Sequence, residues 1–151
     1  MPARIQNITP DPDLVTAIQH LYKAIYAAGV PRQTLELVHL RASQVNGCSY
    51  CVDAGAKTAG QAGVSPEKLN AVAAWYDHAL FDDAERAVLA LTEAATRLAG
   101  RPGAVTDEIW AGAAKHYDER QLTAIVLMVA LTNFYNRINT TLRVPPGTAW
   151  S

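Results

Sequence analysis

Five things are scarce in this sequence, and each scarcity narrows what the chain can be. Long apolar runs are missing: the longest, Ala124 to Leu131, falls far short of the ~18 residues a bilayer span needs. No basic cluster exists, and with a net charge of −1 and a pI near 6.4 the chain is not built for nucleic acid or an anionic membrane surface. The stretch Met1 to Ile8 has no apolar core of the export-signal type, so a soluble cytoplasmic protein is expected. No segment alternates apolar and polar residues between hairpin turns, which leaves no basis for strands.

Cysteine is the fifth scarcity. The chain has two, Cys48 and Cys51, and both stand in one segment, Gly47-Cys48-Ser49-Tyr50-Cys51. Cysteines retained for packing tend to be scattered, whereas paired ones suit chemistry. Residues i and i+3 of one helical turn have Cα atoms about 5 Å apart, inside the range a disulfide tolerates. In a reducing compartment such a pair is catalytic, redox-sensing or metal-binding more often than structural. Two other readings stay open. Two thiolates could join some of His20, His39, His78 and His116 around a metal, or the pair could be inert packing. Neither a metal nor a cofactor is expected.

The rest of the pattern is helical. Leu14, Ile18, Leu21 and Ile25 form one stripe, closed by Gly29 and Pro31. A second helix starts at Pro31, turns Leu35, Val38, Ala42 and Val45 inward and stops at Asn46-Gly47. The third begins at the cysteines and reaches about Ala62. Ser65-Pro66-Glu67 opens a short helix toward Trp75. Asp82 or Asp83 opens one carrying Val88, Leu91, Ala95 and Leu98 on a single face and ending near Gly100. Thr106-Asp107-Glu108 and Asp118-Glu119 open the last two, the final one running to about Leu142. The expectation is one all-α domain over residues 1–151, a bundle of about six to seven helices. The last helix is apolar nearly all round, so it must be covered by the core and by another subunit. Trp75 and Phe81 read as core aromatics, Glu85 and Arg86 as an ion pair, and Lys57 and Lys68 as solvated.

At the start of the third helix, free N–H groups and the helix dipole favour a thiolate. Lowering a thiol pKa from ~8.5 to ~7 raises its ionised fraction at neutral pH from a few per cent to about half. Glu36 precedes Cys48 by twelve residues in an otherwise apolar helix; folded back, it could relay the thiol proton. His39 lies one turn further along much the same face, as a relay partner. Tyr50 supplies a hydroxyl, a weak base at its ordinary pKa near 10.

The stretch from Glu36 through Cys51, with Asn46-Gly47 before the pair and Asn133-Phe-Tyr-Asn-Arg137 and Pro145-Pro146-Gly147 later, resembles the alkylhydroperoxidase D-like branch of the carboxymuconolactone decarboxylase superfamily. The resemblance covers about residues 30–147. It implies an all-helical subunit assembled into homotrimers or homohexamers, acting as a thiol-dependent peroxidase. Cys51 would be oxidised to a sulfenic acid by a hydroperoxide and Cys48 would close the disulfide. Glu36 would serve the proton relay, and a dithiol or lipoyl-type partner would be the reductant. One residue departs from the pattern: Gly55 stands where that branch has a histidine, four residues after Cys51. Losing a placed general base typically costs ~10²–10⁴-fold in rate. The rival readings are therefore a non-enzymatic oligomeric redox sensor or scaffold with a degenerate site, and the acid–base chemistry of the superfamily's decarboxylase branch.

Overall fold

The computed structural model describes residues 2–5 and 10–148; part of the Met1–Ile8 stretch falls outside them. These residues form seven α-helices and no strand: α1 (Pro12–Tyr26), α2 (Arg32–Asn46), α3 (Ser49–Gln61), α4 (Pro66–Ala71), α5 (Asp83–Thr96), α6 (Asp107–Ala114) and α7 (Glu119–Leu142). A 3-10 turn over Val72–Ala74 extends α4 toward Trp75. Each start has a physical cause. Asp11, Ser65 and Thr106 accept from orphan N–H groups in the first turns of α1, α4 and α6. Asp82 with Glu85 and Asp118 with Gln121 form reciprocal capping boxes that open α5 and α7. Each such cap is typically worth ~1 kcal/mol.

The centre of the bundle is α2. Helices α3, α5 and α7 pack on it, α1 lies against α7, and α6 against α5. Leu35, Leu37, Val38 and Leu40 are therefore buried all round the helix, not on one stripe, together with Leu89, Leu91, Ile125 and Met128 from its neighbours. Trp75 and Phe81 join this core, as the sequence implies.

Three expectations need correction. Leu98 lies beyond the end of α5 and is 57% exposed, because that helix stops at Thr96. In α1, Ile18 and Ile25 are buried but Leu14 and Leu21 remain 40% and 43% exposed. The stripe is real, yet this chain covers only half of it. Lys68 is not solvated: its ammonium pairs with Glu85 and lies over the Phe81 ring, while Arg86 donates to the His78 carbonyl instead.

Candidate functional site

The link between α2 and α3 builds the cysteine pair. Gly47 closes α2 in a left-handed conformation (φ 66°) that costs a residue with a β-carbon but not glycine. Its N–H donates to the Gln44 carbonyl (3.2 Å), and the Cys48 N–H donates to the Ser43 carbonyl (3.1 Å). Two of the last carbonyls of α2 are thereby satisfied, and the chain reverses at once into α3. Cys48 is then the N-cap of α3, its Sγ accepting from the Cys51 N–H at 3.3 Å. Cys48 and Cys51 are joined by a disulfide, their Cα atoms 5.3 Å apart, and both residues are buried. Among the described residues no group of three or more His, Cys, Asp or Glu side chains could hold a metal ion.

Beneath the pair lies a polar network from α7. Asn46 Nδ2 donates to Asn133 Oδ1 (3.0 Å) and Asn136 Oδ1 (2.8 Å), and Asn136 Nδ2 donates to Ser43 Oγ (3.1 Å). The network ties the end of α2 to α7 and fixes the turn carrying Cys48. Three residues further along α7, Asn139 Nδ2 donates to Cys51 Sγ at 3.4 Å. Asn139 is 2% exposed, and its Oδ1 is buried without a hydrogen-bond partner among the described residues. Sequence reasoning missed Asn139, although an asparagine recurring every third residue along an apolar helix is the signal that marks it.

Two cavities open on the disulfide. The first, about 420 Å³, is walled by α1 residues including Ile18 and Tyr22, by His39 and by Tyr135, and Cys51 lines it. The second, about 430 Å³, is lined by Cys48, Ser49 and the segment from Thr140 to Pro146. Tyr50 and Asn139 face both. The structure thus brings Cys51, His39 and Tyr50 to one cavity.

Glu36 lines neither. It is 1% exposed, its carboxylate accepting from Tyr26 Oη at 2.7 Å with Arg32 Nε at 3.6 Å. Its link to the cavity runs through its neighbours. Burial holds His39 below its ordinary pKa, against the opposing pull of the Glu36 carboxylate, so the imidazole is neutral at pH 7 and able to accept a proton. Burial, Tyr135 and Glu36 raise the Tyr22 phenol; burial and the hydrogen bond to Glu36 raise Tyr26; burial and Tyr50 raise Tyr135. These phenols stay protonated and act as donors, not bases. Gly55 is buried at the contact of α3 with α2, where an added β-carbon would lie 3.5 Å from Leu40 Cα.

Comparison with known proteins agrees with this architecture. The model of the carboxymuconolactone decarboxylase family matches residues 12–94. An uncharacterized Bacillus subtilis protein, YdfG, is 29% identical over 139 residues, covering 92% of this chain and 93% of its own. A solved Agrobacterium tumefaciens protein of unknown function, ATU0492, described as a candidate AhpD antioxidant defence protein, superposes with a TM-score of 0.87 at 26% identity, over 98% of this chain and all of its own. The debrominase Bmp8 superposes with a TM-score of 0.80 at 26% identity, over 91% of this chain and 73% of its own. A cysteine-to-alanine variant of Bmp8 has been solved with 2,3,4-tribromopyrrole. With the family match spanning most of the helical core and the same all-helical fold in its solved relatives, this chain belongs to the carboxymuconolactone decarboxylase family and has the AhpD-like fold.

Proposed function

We propose that the protein is a thiol-dependent hydroperoxide reductase cycling through the Cys48–Cys51 disulfide. The observation that carries this reading is the surroundings of Cys51: a residue on an apolar cavity that a neutral imidazole also lines, its sulfur under an amide N–H. His39 takes the Cys51 proton, and Asn139 Nδ2 stabilises the thiolate. The thiolate attacks the terminal oxygen of a hydroperoxide, the O–O bond breaks, and the alkoxide leaves as alcohol after taking a proton. Cys51 is then a sulfenic acid. Cys48 attacks its sulfur, hydroxide leaves as water, and the disulfide closes; a dithiol restores both thiols.

In this scheme His39 supplies from α2 the imidazole that α3 lacks at Gly55. Glu36 acts through its neighbours, aligning Tyr26 and stabilising the positive charge that His39 acquires. The exposed apolar groove between α1 and α7, lined by Leu14, Leu21, Leu127 and Phe134, supports assembly into a homotrimer or homohexamer. No helix among the described residues is long and apolar enough to cross a membrane.

Purified protein with cumene hydroperoxide and a dithiol is expected to consume peroxide, and Cys51→Ser to abolish the activity. A rate unaffected by that substitution would remove the proposal.

A second reading rests on the likeness to a debrominase and on the tyrosines of the first cavity. A halogenated aromatic could stack there, its halogen passing to the Cys51 sulfur while the ring carbon takes a proton. Cys48 would then displace halide to give the same disulfide. Halide release from a bromopyrrole in place of peroxide consumption would favour it.

A further inference from the structure

The disulfide divides the two cavities, and the division is asymmetric. Cys51 lines only the first and Cys48 only the second. Thiol–disulfide exchange is an in-line displacement: the incoming thiolate, the attacked sulfur and the leaving sulfur stand in a row. A thiol in the second cavity meets Cys48, the cysteine that lines it, while Cys51 lines the other cavity. A thiol in the first cavity would attack Cys51 and leave the mixed disulfide blocking the sulfur that the oxidant must reach.

The second cavity has its own recognition chemistry. No acidic side chain lines it, and its one charged residue is Arg143. Arg143 caps the end of α7 in the left-handed conformation (φ 55°), the one described residue other than glycine with a positive φ. That conformation suits glycine, yet here it carries a guanidinium. The guanidinium has no hydrogen-bond or acidic partner among the described residues. Asn139, nearly fully buried, also lines this cavity.

We propose that the second cavity is the reductant site and that it takes a small dithiol carrying a carboxylate. Arg143 holds the carboxylate. The ligand's thiolate attacks Cys48 Sγ. The Cys48–Cys51 bond breaks, and Cys51 leaves as a thiolate facing the first cavity, stabilised by Asn139 Nδ2. The second thiol of the ligand then attacks the ligand sulfur bound to Cys48. Cys48 is expelled as a thiolate onto the Cys51 N–H, which already donates to it, and the ligand departs as a cyclic disulfide. Two electrons pass from ligand to protein, and the two thiol protons follow. The inference rests on the redox reading above and gives its reductant a place and a charge.

The test isolates the reduction half-reaction, so it does not depend on which oxidant the protein meets. Oxidised full-length protein is mixed with dihydrolipoate or with neutral dihydrolipoamide, quenched by alkylation and weighed. Dihydrolipoate is expected to be faster by about fivefold at low salt, the size of one partly exposed ion pair, with the advantage shrinking in high salt. Arg143→Gln should bring the ratio to one. Arg143→Gly should do the same while suiting the left-handed backbone, and the neutral dithiol reports folding in each variant. With 3-mercaptopropionate, the trapped mixed disulfide is expected on Cys48. Equal rates in the unaltered protein, a ratio that survives loss of Arg143, or an adduct on Cys51 would each overturn the proposal. A protein that shows the preference yet consumes no hydroperoxide would refute the peroxidase reading alone.

Discussion

Replacing Asn139 by leucine separates a catalytic role from a structural one, because the two predict opposite effects on stability. In the disulfide state Asn139 gives one hydrogen bond to a sulfur, a weak acceptor, at 3.4 Å, while its Oδ1 is buried without a partner among the described residues. An unsatisfied buried acceptor costs ~1–3 kcal/mol, more than a neutral hydrogen bond returns at ~0.5–1.5 kcal/mol. Leucine removes both, and the cavities on either side leave room for its larger side chain. The oxidised variant is therefore expected to melt no lower than the unaltered protein. In the reduced state the same N–H faces a Cys51 thiolate, and a hydrogen bond to a charged group is worth ~1.5–3 kcal/mol. At 1.36 kcal/mol per pKa unit, its loss should raise the Cys51 pKa by roughly 1–2 units. The thiolate fraction at neutral pH, and with it the rate of attack on peroxide, should fall ~10- to 100-fold. The assay is the pH dependence of iodoacetamide alkylation in a Cys48→Ser background, where a single thiol titrates. An unchanged pKa, or a large loss of thermal stability without one, would show that Asn139 is only scaffolding.

Other expectations follow from neighbouring groups. His39→Gln should lower peroxide turnover by ~10²-fold or more, the usual contribution of a placed base. Because burial depresses the His39 pKa, the imidazole is the free base at neutral pH and is lost as a base only when pH falls below the ordinary histidine range. Its contribution to the rate profile should therefore persist below pH 6.5; a break above that value would contradict the placement. Adding Gly55→His to the His39→Gln variant is expected to restore part of the turnover, since the new β-carbon meets Leu40 only at ordinary contact distance, 3.5 Å. No recovery would mean that position 55 cannot present an imidazole to Cys51. Glu93 accepts from Trp75 (2.7 Å), Arg41 (2.8 Å) and Arg97 (2.6 Å); burial alone would raise its pKa, but these bonds outweigh it and lower the value. Its stabilisation is complete above the unfolded glutamate pKa and disappears as pH falls through the lower folded one. Glu93→Gln should thus destabilise the protein in denaturant melts at pH 7, and by much less once pH drops well below the ordinary glutamate range. An equal penalty at both pH values would contradict the network.

Much of this arrangement was legible in the residues. Caps are local chemistry, so Asp82, Thr106 and Asp118 mark helix starts wherever the helices pack. The turn at Asn46-Gly47 was equally plain, because a left-handed C-cap wants glycine. Periodicity, in contrast, reports a stripe but not what covers it. Leu14 and Leu21 share the stripe of Ile18 and Ile25, yet the chain folds over only two of the four. Leu98 kept the spacing of α5 after the backbone had already left the helix. At the site, the sequence pointed to Cys48, Cys51 and Glu36 but not to how they connect. Glu36 meets Tyr26 because α1, packed on α7, ends where its last phenol reaches α2, a tertiary fact no spacing encodes. Asn139 was hidden for a similar reason, since only the docking of α7 beneath the turn carries its amide to the Cys51 sulfur.

The account's central claim is that Cys51 is oxidised first and Cys48 then closes on it. The most direct test is the intact mass of the reduced protein after one equivalent of hydroperoxide, with and without alkylation. A loss of two hydrogens confined to the peptide holding Cys48 and Cys51, together with a trapped sulfenic acid on Cys51 in the Cys48→Ser variant, is the predicted result. An unchanged mass, or a sulfenic acid on Cys48 in the Cys51→Ser variant with none on Cys51, would contradict it.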